Sequence, residues 1–259
     1  MIKKQISIVG AAAILLAASS QALAHFGMVI PSTNMVRPEK KSVDVTLSFS
    51  HPFEMIGMDL AKPAEFYVAI DGKRQDLGSS LQKTEVMDHL AWQTSYKVRR
   101  PGVYQFVMEP TPYWEAAEDL SIIHYTKTII AAYGADTGWH EPVGLPTEIV
   151  PLLRPFGNYA GNSFRGQVLK NGKSVPHAEV EVEFYNEDGQ LQAASDYHVT
   201  QVIKADASGI FTFTCPLPGW WGFSALLEAE YTLPDPSGEA KPVELGAVLW
   251  IYMDPYKRK

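Results

Sequence analysis

Alternation of apolar and polar residues with a period of two is the feature that most limits the folds open to this chain. Residues 42–49 read Ser-Val-Asp-Val-Thr-Leu-Ser-Phe, and residues 179–184 read Glu-Val-Glu-Val-Glu-Phe. Successive side chains of a strand point to opposite faces, so each segment would have one apolar face and one polar face. Glycine and proline interrupt the strand-like segments at short intervals. The pattern predicts an all-β protein built from packed sheets rather than from α/β units.

Turn residues separate the predicted strands. The dipeptide Asp71-Gly72 follows the apolar run 66–70 and is typical of a hairpin turn. The run 122–133 is rich in β-branched and aromatic residues and predicts a long strand. Helix is scarce in the pattern, and the stretch 114–120 is the clearest helical candidate.

A proline-rich stretch divides the chain into two parts of similar length. Residues 144–155 contain three prolines, which interrupt strands and stiffen a connection. The sequence therefore predicts two β-sandwich domains of the immunoglobulin or transthyretin-like kind, an N-terminal one over residues 25–145 and a C-terminal one over residues 146–259.

The first residues have the pattern of a secretory signal peptide. Lys3 and Lys4 give a positive start, residues 6–18 are apolar and uncharged, and residues 22–24 form the Ala-Leu-Ala cleavage pattern. The apolar run is shorter than the roughly 20 residues that a membrane-spanning helix needs. We expect a signal peptide over residues 1–24, cleaved after Ala24, and a mature protein in the periplasm.

Charge and cysteine content exclude several classes of protein. The formal net charge is −7, and no basic cluster is larger than residues 257–259, which argues against nucleic acid as a partner. A single cysteine, Cys215, excludes an intrachain disulfide framework. We expect a buried, inert thiol there, and a fold that depends on its hydrophobic core.

Cleavage after Ala24 would make His25 the first residue of the mature chain. The α-amine of a first residue and the Nδ1 atom of its own imidazole can close a chelate ring on one metal ion. Both donors are nitrogens, which suit nickel, cobalt, copper or zinc. His25 is therefore the first candidate metal ligand.

His51 is the second candidate ligand. It continues the apolar face of residues 43–49, and Pro52 follows it and stops regular strand pairing. This predicts a histidine at the inward-facing end of a strand. The alternative is a hydrogen-bonded histidine at the edge of the core. No two histidines of the chain are two, three or four residues apart, so any metal site must be assembled by the fold.

The second half of the chain resembles the transthyretin-like, or carboxypeptidase-regulatory-like, sandwich. Residues 166–180 read Gly-Gln-Val-Leu-Lys-Asn-Gly-Lys-Ser-Val-Pro-His-Ala-Glu-Val, and residues 206–213 read Asp-Ala-Ser-Gly-Ile-Phe-Thr-Phe. In that sandwich, comparable segments form strands joined by tight turns. The residue Ser174 departs slightly from the usual spacing.

The whole mature chain resembles the DUF4198 family. The segments that carry the resemblance begin with His-Phe-Gly-Met, His-Pro-Phe-Glu, His-Tyr-Thr-Lys, Glu-Ile-Val-Pro-Leu and Gly-Trp-Trp-Gly-Phe, at residues 25, 51, 124, 148 and 219 respectively. Within the family the chain is similar to the periplasmic component associated with nickel and cobalt uptake transporters. The resemblance implies a soluble partner of a metal permease, with Ni²⁺ or Co²⁺ as the transported ligand and no enzymatic activity.

The same resemblance favours His124 as a further ligand, and His89 is another candidate. Without the resemblance, His124 in its strand would be interpreted as a satisfied core histidine. Together with His25 and His51, either His124 or His89 would complete a roughly planar or square-pyramidal set of donors. Oxygen donors could be added by four charged residues, Glu54, Asp59, Glu118 and Asp119.

Two alternatives to nickel or cobalt binding remain open at this point. A metal-free sandwich could bind carbohydrate or act in adhesion. An N-terminal histidine chelate also resembles the copper site of oxidative polysaccharide-cleaving enzymes, with Trp139, Trp220 and Trp221 as a possible aromatic surface. The methionines of the first half could likewise suit Cu(I), although methionine is more often a core residue. Hydrolase and P-loop motifs are absent from the sequence.

Overall fold

A computed structural model describes residues 25–258 of the chain. The predicted signal peptide over residues 1–24 lies outside the described residues. Strands dominate the described part, which contains no α-helix and only two short 3-10 helices, Gly78–Ser80 and Asp196–His198. The prediction of an all-β fold is confirmed. Along residues 25–258, no helix is long and apolar enough to cross a membrane.

The strands of the first half precede residue 133. They are β1 Phe26–Pro31, β2 Met35–Val36, β3 Ser42–His51, β4 Ile56–Met58, β5 Glu65–Ile70, β6 Lys73–Asp76, β7 Gln82–Val86, β8 His89–Lys97, β9 Gly102–Glu109, β10 Tyr113–Glu115 and β11 Leu120–Ala132.

The strands of the second half follow residue 146. They are β12 Thr147–Pro151, β13 Asn158–Tyr159, β14 Ser163–Lys170, β15 Lys173–Ser174, β16 Glu179–Phe184, β17 Gln201–Lys204, β18 Ile210–Thr214, β19 Gly219–Glu228, β20 Leu233–Pro234, β21 Ala240–Lys241 and β22 Val243–Asp254.

These strands form one large sheet with a smaller sheet on each face. The large sheet has the order β17-β16-β19-β22-β11-β9-β5-β6, with β2, β10 and β13 paired to its members. The first small sheet has the order β1-β3-β8-β7, with β4 on β3, and the second has the order β12-β14-β15, with β18 on β14. Strands β20 and β21 form a separate hairpin.

Parallel pairing of β11 with β22 joins the two halves of the chain in one sheet. Ile122 lies opposite Glu244, and His124 lies opposite Gly246. The large sheet therefore contains strands from both predicted domains. The division into residues 25–145 and 146–259 stays a prediction, since strand pairing by itself does not define folding units.

Two hydrophobic cores lie on opposite faces of the large sheet. On one face, Leu47 of β3 packs with Phe106 of β9 and other residues under the first small sheet. On the other face, Phe164 of β14 packs with Phe223 of β19 under the second small sheet. Alternate residues of one strand serve the two cores, as Ile129 and Ile130 of β11 do.

The predicted helix at 114–120 is wrong. The segment contains the end of β10, a turn and the start of β11, and Tyr113 pairs with Ile122 in an antiparallel ladder. Hydrogen bonds to a neighbouring strand outweigh the weak local preference of so short a segment. This hairpin also determines the position of Glu115, which is paired with Leu120 at the start of β11.

Candidate metal site

The pairing of β1 with β3 brings the first two candidate ligands together. Phe26 lies opposite Ser50 in an antiparallel register, so His25 lies beside His51, the last residue of β3. The centroids of the two imidazole rings are 4.7 Å apart, and the ring planes are tilted by 54°. His51 is buried. The predicted strand and the position of His51 at its buried end are as the alternation of residues 42–49 indicated.

His124 reaches the same place from the large sheet. It is buried in β11, and the ring of Phe49 contacts both His124 and His25, with centroid distances of 5.8 Å and 5.5 Å respectively. Gly27 and Gly246 provide space here: a Cβ atom on Gly27 would overlap Thr126 Oγ1 and crowd His124, and one on Gly246 would overlap the His124 imidazole. We call His25, His51 and His124 the histidine group.

Two histidines of the group contact a carboxylate through the same ring atom. His25 Nε2 lies 3.1 Å from Glu115 Oε2, and His124 Nε2 lies 3.3 Å from Glu244 Oε1. In both residues this leaves Nδ1 as the other nitrogen. Nδ1 of His124 is buried and has no hydrogen-bond partner. An orphaned buried nitrogen is uncommon in folded proteins and costs free energy, so it invites an explanation.

The surroundings of His25 keep its ring neutral. Burial and the nearby His51 and His124 together lower the pKa of His25 to about 4, and Glu115 opposes the shift only in part. A neutral imidazole has a lone pair available for a metal ion, whereas a protonated one does not. At neutral pH His25 is therefore in the form that a metal requires.

His89 has different neighbours. It opens β8 and is about half exposed, and its Nδ1 lies 3.3 Å from Asp59 Oδ1. The same carboxylate accepts the N–H of Leu90 at 2.9 Å. His89 is also next to Gly57 of β4. Its role as a ligand stays a prediction, and none of these contacts joins it to the histidine group.

Side chains alone do not complete a metal site. Over residues 25–258, no group of three or more His, Cys, Asp or Glu residues is arranged to hold a metal ion by itself. The α-amine that cleavage before His25 would create is an additional donor beside the ring of the same residue. It is the donor on which the predicted chelate depends.

The loop that follows His51 is anchored by the second half of the chain. The N–H of Phe53 donates to Glu183 Oε2 at 3.3 Å, and the backbone N–H of Asn186 donates to the carbonyl of Pro52 at 3.2 Å. Asn186 also donates from Nδ2 to the carbonyl of Phe53 at 3.1 Å. Glu183 of β16 and Asn186 just after it thus fix the end of β3, and with it the position of His51.

Sequence reasoning missed Glu115 and Glu244. Neither stands in a spacing motif with a histidine, because the contacts depend on the β10–β11 hairpin and on the parallel pairing of β11 with β22. Of the oxygen donors considered from sequence, Asp59 contacts His89 and Asp119 pairs with Lys241.

Trp220, Trp221 and Cys215 are buried. Trp221 belongs to the core under the second small sheet and Trp220 to a separate cluster with Phe26 and Trp250, so these two do not form an exposed aromatic surface, while Trp139 is partly buried against the same core as Trp221. Cys215 is also buried, and burial raises the pKa of its thiol well above the usual range, as expected for an inert cysteine.

Comparison with solved structures gives only distant likenesses. The D0-D1 domains of intimin are 10% identical, with 89% of this chain and 100% of that chain covered and a TM-score of 0.23. Dimeric latent PorU from Porphyromonas gingivalis is 13% identical, with 86% of this chain and 20% of that chain covered and a TM-score of 0.22. A tandem of titin immunoglobulin domains is 7% identical, with 90% and 100% covered and a TM-score of 0.20.

Comparison at the level of sequence families is more specific. No curated protein matches the chain significantly. The model of one family, described as a domain of unknown function, matches residues 22–229. That match includes the histidine group, Glu115 and the strands β1 to β19, and it covers well over half of the sequence. The chain belongs to the DUF4198 family.

Proposed function

We propose that the processed protein binds Ni²⁺ or Co²⁺ in the periplasm as the accessory component of a metal uptake transporter. The observation that carries the proposal is the place of His25. The residue that cleavage would make the first of the chain has its ring centroid 4.7 Å from that of His51, and its ring contacts Phe49, which also contacts the ring of His124. Three imidazoles and one amine make a set of nitrogen donors.

The chemistry of these donors favours late first-row transition metals. Imidazole and amine nitrogens bind Ni²⁺, Co²⁺, Cu²⁺ and Zn²⁺, whereas Mg²⁺ and Ca²⁺ prefer oxygen. A neutral His25 supports binding near pH 7. The assignment of nickel and cobalt, and of a permease as partner, comes from the resemblance described above, since any nitrogen site binds Cu²⁺ more tightly than either.

Partial exposure of the histidine group agrees with a site that takes up a metal ion and later releases it. His25 and Glu115 keep 10% and 16% of their side chains exposed, whereas His124 keeps 1%. A site that is closed on all sides holds a structural metal, and an exchangeable one needs an open position. The group is buried on the side of the large sheet and reachable at His25.

Calorimetric titration of Ni²⁺ and Co²⁺ into protein that begins at His25 tests the proposal. We expect one ion per chain, and a large loss of affinity for His25→Ala, His51→Ala or a version with one extra N-terminal residue. The extra residue converts the amine into an amide but leaves every side chain in place. His140→Ala is the matched control, because His140 is exposed and pairs only with its neighbour Glu141 among the ion pairs of residues 25–258.

Two results would count against the proposal. One is wild-type protein that shows neither heat of binding nor a rise in melting temperature with Ni²⁺, Co²⁺ or Cu²⁺. A ligand at about 100 times its dissociation constant should stabilise the fold by roughly 2.7 kcal/mol. The other is binding that survives both the extra residue and His51→Ala. Either result would favour the metal-free sandwich.

A further inference from the structure

The contacts of Glu115 and Glu244 with the histidine group share a geometry. Each carboxylate approaches Nε2 of an imidazole, at 3.1 Å from His25 and 3.3 Å from His124. The two glutamates come from different parts of the chain, one from the β10–β11 hairpin and one from β22. The β10–β11 hairpin and β22 therefore each place a carboxylate at Nε2 of a histidine in the histidine group.

We infer that Glu115 and Glu244 are positioning residues that hold His25 and His124 as Nε2-protonated imidazoles, so that both rings present Nδ1 to the metal. The metal part of this inference rests on the proposed function. The tautomer part concerns the protein without metal.

A carboxylate selects the tautomer because it only accepts hydrogen bonds. A neutral imidazole has one N–H and one bare nitrogen. The N–H therefore settles on the nitrogen that faces the carboxylate, and the lone pair on the other nitrogen becomes the ligand. Partners of this kind orient metal-binding histidines in many proteins, and their loss typically weakens metal binding about 10–100-fold.

For His25, the selected nitrogen is the only one that fits the chelate. Nδ1 is separated from the α-amine by three carbon atoms, so the two nitrogens can close a six-membered ring on one ion. Nε2 is on the far side of the imidazole and cannot close such a ring. Glu115 occupies Nε2 and so leaves Nδ1 beside the amine that processing creates.

For His124, the absence of a hydrogen-bond partner at Nδ1 supports the same role for this nitrogen as a metal ligand. Its side chain is 1% exposed and its Nδ1 has no hydrogen-bond partner. In the Nε2-protonated tautomer, Nδ1 is a buried acceptor without a donor, which normally destabilises a fold. A bound metal ion would satisfy this lone pair. In the metal-free protein this lone pair is left unsatisfied, and it is therefore free to bind a metal ion.

Long-range ¹H–¹⁵N NMR of the metal-free, ¹⁵N-histidine-labelled protein reads the tautomers directly. We expect the Nε2–H form for both rings near pH 7. Glu115→Ala and Glu244→Ala should each shift their own histidine toward a mixture of tautomers, and Glu244→Gln should shift His124 less, because the amide oxygen still accepts. Glu141→Ala is the matched control, since the exposed His140 has the same 3.3 Å contact through Nε2 but lies apart from the group.

Metal titration then tests the consequence. We expect each alanine variant to bind Ni²⁺ about 10–100-fold more weakly than wild type, with most of the affinity restored by Glu244→Gln and no loss for Glu141→Ala. The glutamine comparison is made at Glu244 because Glu115 accepts two bonds through different oxygens, Oε1 from the N–H of Ala117 at 2.9 Å and Oε2 at His25, and an amide has only one oxygen.

The outcomes keep the two proposals apart. An Nδ1–H tautomer of either ring in the metal-free protein overturns the inference whether or not metal binds. Unchanged affinity in both alanine variants, in a protein that binds Ni²⁺, also overturns it. Wild-type protein that has the expected tautomers but binds no metal contradicts the proposed function and limits the inference to tautomer selection.

Discussion

Lys127 Nζ lies 2.5 Å from Glu148 Oε1, and only 1% and 2% of the two side chains are exposed. Glu148 also accepts the N–H groups of residues 143–145. Lys127 and His124 are three residues apart in β11, so their side chains leave opposite faces of the large sheet. The buried pair therefore fixes the connection between the halves of the chain on the face of β11 that does not hold the candidate site.

We expect Lys127→Met to destabilise the fold by about 3–5 kcal/mol, because it leaves a buried carboxylate without its cation. Lys127→Met combined with Glu148→Gln should recover part of this loss, since the charge is removed together with its partner. Urea denaturation monitored by tryptophan fluorescence measures both. Arg100→Met is the control: Arg100 pairs with Asp71 at the surface and should matter little. A double variant no more stable than the single one would contradict this account.

Gly246→Ala tests the packing of the histidine group. A Cβ atom there would overlap Cδ2, Cγ and Nε2 of the His124 ring, so the ring must move away from Glu244. We expect Ni²⁺ affinity to fall about 10–100-fold, as it should when Glu244 itself is removed. Gly78→Ala is the control, because the nearest atom to its new methyl group is a flexible carboxylate oxygen of Asp76. Unchanged affinity in Gly246→Ala would place His124 outside the metal site.

Glu183 predicts how stability depends on pH. Burial raises the pKa of Glu183 to about 8, although hydrogen bonds from Thr200 and from the N–H of Phe53 oppose the shift. The folded protein therefore holds a proton that the unfolded chain releases above its ordinary pKa of about 4.3. The stabilisation by this proton is complete below that pKa and is lost as the pH rises through 8.

We expect Glu183→Gln to be more stable relative to wild type at pH 8.5 than at pH 5, because glutamine cannot ionise. Melting temperatures of both proteins across this range provide the measurement. Glu187→Gln is the control, as Glu187 is an exposed glutamate just after β16. A constant difference between wild type and Glu183→Gln at all pH values would show that Glu183 ionises normally.

Much of the fold could be predicted from local patterns, and much of the site could not. The alternation over residues 42–49 predicted β3, its buried face and the place of His51, because a strand's faces follow from its sequence alone. The proximity of His25 to His51 depends on the register of β1 against β3. Register is set by packing over the whole sheet, and no local pattern encodes it.

The carboxylates illustrate the same limit. Glu244 reaches His124 because β22, the last strand, lies parallel to β11 from the middle of the chain. Such a pairing joins segments far apart in sequence, and a single sequence gives no sign of it. The contact of Glu115 with His25 could not be predicted for a different reason. The segment 114–120 is predicted from sequence as a helix, which would direct this side chain elsewhere.

The pH dependence of metal binding distinguishes an N-terminal chelate from a site made only of side chains. Because the pKa of His25 is lowered to about 4, its ring does not compete for protons near pH 7. The α-amine has an ordinary pKa of about 7.7–8.0 and must lose its proton to bind. Affinity for Ni²⁺ should therefore fall as the pH is lowered from 8.5 to 7, approaching a tenfold loss per pH unit, or about 1.4 kcal/mol, below that pKa.

Protein with one extra N-terminal residue has an amide at His25 and should lack this dependence over the same range. Calorimetry in buffers of different ionisation enthalpy counts the protons directly. At pH 7 we expect close to one more proton to be released per Ni²⁺ from the processed protein than from the extended one. Equal proton release from both would mean that the amine is not a ligand, and that any metal at the histidine group is held by imidazoles alone.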